Sequence, residues 1–219
     1  MIVNWFGHSC FFLRGSEGPS ILVDPFNEDE VGYIMPRVRA DIVLISHDHN
    51  DHNNVSAVLG HPKVIRVPGR HVAFGIEFLG MTAYHDEERG LLRGENIVFS
   101  FTMDGIRVCH LGDLGHSLSQ AQAEAIGPVD LLFLPVGGIY TIDARGADAV
   151  MRQLSPVVAV PMHYKTKNLS FELNPVDDFL VGREVVGPMA NLKLTREDLD
   201  ERRWVALLSC PDAGVAADR

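Results

Sequence analysis

The stretch Ser46-His47-Asp48-His49-Asn50-Asp51-His52 restricts this chain more than any other feature, and it follows directly on a continuous apolar run at 41–46. Such a run reads as a strand covered on both faces. Three histidines and an aspartate then emerge within six positions of its end, and imidazole and carboxylate are the donors that a borderline divalent metal prefers. Extended backbone sends His47 and His49 to one side, so they can share one ion. Asp51 and His52 are adjacent and would diverge in a strand, so a turn has to bring both into one cavity. That arrangement suits two neighbouring metals better than one. A solvated polar turn does not account for so dense a donor set.

Around the motif, short strands alternate with a few helices. Residues 2–6, 9–13 and 20–24 read as strands broken by Gly7 and by the turn residues at 15–19. Runs at 63–67, 76–84, 96–103 and 106–111 follow, with Asp104-Gly105 supplying a hairpin turn. After Asp113 the spacing predicts a helix over 117–126, with Ser117 as N-cap and Gly127-Pro128 as its stop. Buried strands at 130–135 and 157–162 enclose a second helix at 143–154, and Asn174-Pro175 opens a short one at 176–180. No repeat, linker or low-complexity tract interrupts the chain. Residues 1–210 therefore read as one α/β domain of two sheets covered by helices, and 211–219 as a frayed tail.

A closed site needs further donors, and these recur in one kind of place. His85 ends the run at 76–84, Asp113 follows 106–111 in Leu111-Gly112-Asp113, and His163 follows 157–162. Each stands just past the C-terminal end of a strand, where open sheets gather their functional groups. One such histidine alone reads as a polar loop residue; alongside the first motif, all three positions read as ligands. His61 and His71 read as loop residues without a function. His110, inside a strand, reads as a buried partner to a neighbouring ligand.

Composition narrows the function classes. At 219 residues and 46% hydrophobic, the chain is long enough for one well-buried domain. The formal net charge is −10 with no block of Lys or Arg, so a nucleic-acid partner is not expected. Three cysteines, far apart and odd in number, suit a reduced intracellular protein; Cys10 and Cys109 sit in apolar runs as small buried hydrophobes. The N-terminal run lacks a basic leader and no stretch reaches membrane-spanning length, so a cytoplasmic location is the expectation.

In this order, the motifs resemble the metallo-β-lactamase superfamily. Gly7-His8-Ser9-Cys10-Phe11, Leu111-Gly112-Asp113-Leu114-Gly115-His116, Val136-Gly137-Gly138-Ile139-Tyr140-Thr141 and Pro161-Met162-His163-Tyr164-Lys165-Thr166 narrow the likeness. Together they resemble the Zn-dependent hydrolase branch related to L-ascorbate-6-phosphate lactonase and N-acyl-phosphatidylethanolamine phospholipase D. The resemblance covers residues 2–166. It implies a four-layer αββα sandwich with two metals at one edge. One metal would be held by His47, His49 and His85, the other by Asp51, His52 and His163, with Asp113 bridging both. True β-lactamases of the superfamily commonly carry Cys where Asp113 stands, and flavodiiron oxidoreductases a Glu at the place of His49, which disfavours both activities. The insertions with which RNA-processing members grip RNA have no room here.

The resemblance implies a hydrolase of an ester-type bond in a phosphodiester, a phospho-sugar lactone or a similar anionic small molecule. Two divalent ions would activate a hydroxide that Asp51 orients; zinc is the first expectation, and manganese, iron or nickel suit the same donors. The leaving group needs a proton donor. His8 resembles a histidine beside the metals in this branch and is a candidate catalytic residue, with a purely structural role as the alternative. His116 is either a substrate contact or a polar residue at a helix start. Tyr140 and Lys165 are further candidate substrate contacts, Lys165 as a positive contact for an anionic head group. The rival class is a non-catalytic metal-binding protein on the same scaffold, used for sensing or storage. The seven-residue ligand set favours the enzyme because it leaves coordination positions for a reactive water.

Overall fold

The computed structural model describes residues 1–199 and 202–210, so the predicted tail at 211–219 lies outside the described residues. The chain opens with β1 (Ile2–Gly7), β2 (Cys10–Arg14), β3 (Ser20–Val23), β4 (Ile42–Leu44) and β5 (Lys63–Ile65). A second run follows: β6 (Gly69–Ala73), β7 (Ile76–Tyr84), β8 (Glu95–Met103), β9 (Ile106–His110), β10 (Leu131–Pro135) and β11 (Val158–Met162). It closes with β12 (Val185–Met189), β13 (Leu192–Lys193) and β14 (Trp204–Leu208). The helices are α1 (Glu28–Val31), α2 (Gln120–Ile126), α3 (Ala144–Leu154) and α4 (Asp177–Leu180).

Two sheets result, ordered β13-β1-β2-β3-β4-β5 and β12-β14-β11-β10-β9-β8-β7-β6. Alternation along the first sheet sorts its side chains between two cores. Val3, Trp5, Phe11, Leu13, Ile21, Val23, Ile42 and Leu44 face the second sheet in the main core. Cys10, Phe12, Leu22, Val43 and Ile45 point the other way into a smaller cluster, closed by Phe26, Val31, Leu169 and Leu173. On that outer face the covering layer is reduced to α1, a 3-10 turn at Val55–Ala57 and loops. On the far side Ile126 of α2 and Ala147, Val150 and Leu154 of α3 join the main core with the wholly buried β10 and β11.

Local chemistry explains the boundaries. Asp104-Gly105 turns from β8 to β9 with both residues at positive φ, the geometry of a two-residue hairpin loop. Phe74-Gly75 does the same between β6 and β7. The first of these hairpins was legible, whereas β6 was not, because Gly69-Arg-His-Val-Ala lacks a clean apolar alternation. The helix expected from Ser117 begins later. Ser119 is its N-cap, and its side chain accepts from the backbone N–H of Gln122 while the Gln122 side chain returns to the backbone of Ser119. That reciprocal box outcompetes Ser117. α3 starts one residue after the expected 143 because Asp143 serves as its cap, accepting from the N–H of Gly146.

The topology positions the site. β1 and β3 both run antiparallel to β2, and β4 is parallel to β3, so β1, β3 and β4 end at the same edge of the first sheet. In the second sheet, β7 and β9 are both antiparallel to β8, while β10 and β11 continue parallel to β9. Hence β7, β9 and β11 also end together. His8, Asp24, the stretch 46–52, His85, Asp113 and His163 follow those six strands. Among the described residues no helix is long and apolar enough to cross a membrane.

Candidate metal centre

The two sheet edges meet, and the strand-end residues converge. Ring nitrogens of His47, His49 and His85 lie within 4.8 Å of one another, as do donor atoms of His8, His52, Asp113 and His163, and those of His47, Asp51 and His52. Asp113 links the sets. Its Oδ2 is 3.2 Å from His85 Nε2, 3.2 Å from His52 Nε2 and 3.0 Å from His163 Nε2. The turn that brings Asp51 and His52 inward closes on a hydrogen bond from His52 N–H to His49 O at 2.9 Å. The groups overlap: His47 also lies with Asp51 and His52, and His8 lies with His52, Asp113 and His163.

Several imidazoles are held from behind. His47 Nδ1–H donates to Ser46 Oγ at 2.9 Å, Ser46 Oγ–H donates to Asp24 Oδ2 at 2.7 Å, and His52 Nδ1–H donates to the same Asp24 oxygen at 3.1 Å. His85 Nδ1–H donates to Tyr140 O at 3.0 Å. These bonds fix the tautomers so that Nε2 lone pairs face the cluster, the arrangement that metal-ligating histidines need. Asp24, fully buried at the end of β3, is thus a functional residue that sequence reasoning passed over as the last residue of a strand. Its only signal was an aspartate closing an apolar run. Asn96 is a second: its Oδ1 accepts from Asp113 N–H at 2.9 Å, and its Nδ2 donates to Leu111 O at 2.8 Å. Gly112 sits at φ 55°, and a Cβ there would collide with Asn96 Oδ1 and Ser46 Cβ, which is why glycine precedes Asp113. His110 braces the same turn, accepting from Gly112 N–H at 3.1 Å and donating to Ser9 O at 3.0 Å.

The donor set fits divalent ions. His47 Nε2 is buried with no hydrogen-bond partner, and an orphaned buried nitrogen costs about 1–3 kcal/mol unless something satisfies it. Electrostatics agrees. Burial opposes charge on His52, yet Asp113 and Asp51 hold its pKa well above the ordinary histidine value. Burial likewise opposes charge on Asp113, and the neighbouring His163 and His52 nevertheless pull it well down. Burial, then His52, depress His47, and burial, then His85, depress His49. The cluster thus holds two carboxylates as anions and recruits a proton where a cation would serve.

His8 Nε2–H donates to Asp51 Oδ2 at 3.1 Å. Burial, reinforced by His163, lowers its pKa to about 4, so the ring is neutral at physiological pH. The His8 carbonyl accepts from Trp5 Nε1–H at 2.9 Å and from His163 N–H at 3.2 Å, tying the two sheet edges together.

Above the cluster opens a cleft of about 580 Å³ lined by Glu30, Asp48, His49, Asp51, His85, Arg93, Asp113, Tyr140, His163 and Phe171, among others. Tyr140 is among the residues that line it. Lys165 and His116 require correction as substrate contacts, since neither lines the cleft. Lys165 Nζ donates to Leu169 O, Phe171 O and Glu172 Oε1 at 3.1, 2.8 and 3.0 Å, which spends its donors on its own loop. His116 Nε2 accepts from Tyr84 N–H at 3.1 Å and its Nδ1–H donates to Ser117 O at 2.8 Å, so both nitrogens serve backbone. Arg93, which the sequence did not single out, is the cation in the cleft wall.

Comparison with known proteins agrees with this geometry. Residues 2–163 match the family described as a β-lactamase superfamily domain. A UPF0173 metal-dependent hydrolase of Thermoplasma acidophilum is 30% identical over 192 residues, 76% of this chain and 84% of that protein. One from Archaeoglobus fulgidus is 30% identical over 211 residues, covering 81% and 88%. Among solved structures, a protein of Thermotoga maritima assigned to the Zn-dependent hydrolases of the metallo-β-lactamase superfamily is 42% identical, with a TM-score of 0.78 over 94% of this chain and 97% of that one. A metal-dependent hydrolase fold from Parabacteroides distasonis aligns at 22% identity and TM-score 0.64 over 94% and 93% of the two chains. A two-sheet fold whose strand ends gather a histidine–aspartate cluster, matched along most of its length, places the chain in the metallo-β-lactamase superfamily, within its UPF0173 metal-dependent hydrolase family.

Proposed function

We propose that the chain is a dinuclear-metal hydrolase, most readily with zinc, acting on an ester-type bond of a small anionic molecule such as a phosphodiester or a phospho-sugar lactone. The observation that carries this reading is Asp113, one oxygen of which lies 3.0–3.2 Å from Nε2 of His52, His85 and His163. A carboxylate set among histidines of both clusters is suited to be a shared ligand. His47, His49 and His85 would hold one ion, and Asp51, His52 and His163 the other. When bound, such ions acidify a water to hydroxide near neutral pH and polarise the bond under attack.

The chain's own residues do the rest. Asp51, a quarter exposed at its side chain and lining the cleft, would orient the nucleophile. His8 fixes Asp51 by hydrogen bond; being buried and outside the cleft lining, it supports positioning rather than protonation of a leaving group. Tyr140 and Phe171 form an aromatic wall, their ring centroids 6.1 Å apart and edge to face. The cleft volume suits a small-molecule substrate. The relatives named metal-dependent hydrolases support catalysis over storage or sensing on the same scaffold.

The test pairs elemental analysis with a kinetic panel. Zinc-loaded protein should hold two equivalents and hydrolyse an activated phosphodiester or a sugar lactone faster than a cephalosporin. One equivalent, or best turnover of the cephalosporin, would overturn the corresponding half of the reading.

A further inference from the structure

Arg93 stands in an unusual electrostatic position. It lines the cleft together with Glu30, Asp48, Asp51 and Asp113, yet it forms no ion pair with a described carboxylate. Elsewhere the cations near this rim are neutralised: Arg66 pairs with Asp48 at 2.7 Å and Lys165 with Glu172 at 3.0 Å. Among the described residues, the one hydrogen bond of the Arg93 guanidinium is a long 3.5 Å contact to Ile139 O. Its carbon centre lies 5.5 Å from the centroid of the Tyr140 ring, which holds the planar group without consuming its donors.

The mounting is rigid. Asp86, nearly fully buried, accepts from the N–H groups of Glu88, Gly90, Leu92 and Arg93 at 2.7–3.0 Å. His85 N–H closes the loop on Gly94 O at 3.1 Å. Arg93 and His85 therefore stand at the two ends of one clamped loop, and Tyr140, beneath the guanidinium, is bonded through its carbonyl to His85 Nδ1 at 3.0 Å. The backbone of Arg93 is thereby tied to that of a candidate metal ligand, which keeps its side chain at the cleft.

We infer that Arg93 is the residue that selects substrate, binding an anionic group which the substrate carries away from the bond being cleaved. The preferred substrates are then small esters or lactones with a carboxylate or phosphate at the far end, their carbon skeleton against Tyr140 and Phe171. The guanidinium offers paired donors that match either oxyanion. This inference rests on the hydrolase reading for its kinetic arm and is independent of it for its binding arm.

The experiment uses zinc-loaded wild type, R93A and R93K with two nearly isosteric esters, p-nitrophenyl hemisuccinate and p-nitrophenyl butyrate, and measures inorganic phosphate binding by calorimetry on the same proteins before zinc loading, where no metal competes for the phosphate. R93A should raise KM for the hemisuccinate by about tenfold to a hundredfold with kcat little changed, the loss expected for a charged hydrogen bond made equally in ground and transition states. The butyrate should respond by less than about twofold, phosphate affinity should fall about tenfold, zinc content should stay constant and R93K should restore part of the loss. R93Q gives the same readings if R93A proves unstable. Equal effects on both esters, or unchanged phosphate affinity in R93A and R93Q, would overturn the assignment. If the wild type turns over neither ester, the hydrolase reading fails while the phosphate titration still decides Arg93.

Discussion

The floor and the mouth of the cleft are built in opposite ways. On the floor, His47, His52, His85, Asp113 and His163 are all buried and follow strand ends. Asp24, Ser46, Asn96 and the Tyr140 carbonyl hold most of them from behind. The mouth is carried by loops. Leu91 is 83% exposed, Leu92 69% and Ile139 53%, so the apolar side chains flanking Arg93 and Tyr140 contribute little to the core. The contrast teaches where change is tolerated. Donors on strand ends are over-determined by the sheets and by hydrogen bonds, so chemistry and fold are coupled there. Side chains of the mouth loops can change what enters, while the backbone of the same loops still braces His85.

The comparison breaks most directly at Asp113. Asp113→Ala should lose at least one of the two expected zinc equivalents, because no other carboxylate among the described residues reaches His52, His85 and His163 together. Turnover should fall by about a thousandfold or more, the scale of losing several kcal/mol of metal-derived stabilisation. His85→Ala should behave similarly, whereas His61→Ala and His71→Ala should match wild type. Unchanged metal content in Asp113→Ala would remove that residue from the site.

A smaller effect is expected one bond behind the donors. Asp24→Asn keeps the shape but weakens the acceptor shared by Ser46 and His52, and metal affinity should drop about 10–100-fold while one or both ions still bind at saturation. Chelator competition measures this, and its pH dependence sharpens it. The His52 pKa is raised in the metal-free fold, so ion binding must displace a proton that stays bound above the ordinary histidine range. Affinity should therefore climb as pH rises from about 6 to about 8. A flat profile would mean that His52 is not a ligand.

The smallest effect belongs to the mouth. Leu91→Ser and Leu92→Ser should shift stability by no more than about 0.5 kcal/mol, as exposed substitutions generally do. Zinc content should be untouched, which elemental analysis and thermal melts would check together. Lost metal in either variant would mean that the loop supports the floor after all.

How much of this was legible beforehand follows from the range of the forces involved. The donor motif after a buried strand, the continuous apolar run at 41–46 and the strand-end positions of His85, Asp113 and His163 are local patterns, readable because backbone geometry has a fixed period. The sequence by itself also determined the helix stop at Gly127-Pro128 and the Asp104-Gly105 turn, since φ preferences act over a few residues. Only the tertiary structure decided that Asp24 would orient His47 and His52, that His8 would lie against Asp51, and that His116 and Lys165 would turn their nitrogens onto backbone and loop. Only it could promote Arg93 over Lys165. These outcomes depend on how two sheets meet at one edge, where residues separated by up to 155 positions, such as His8 and His163, come to a ring separation of 4.3 Å. Side-chain direction there is set by burial and hydrogen-bond satisfaction across the junction, and neither is encoded in local spacing.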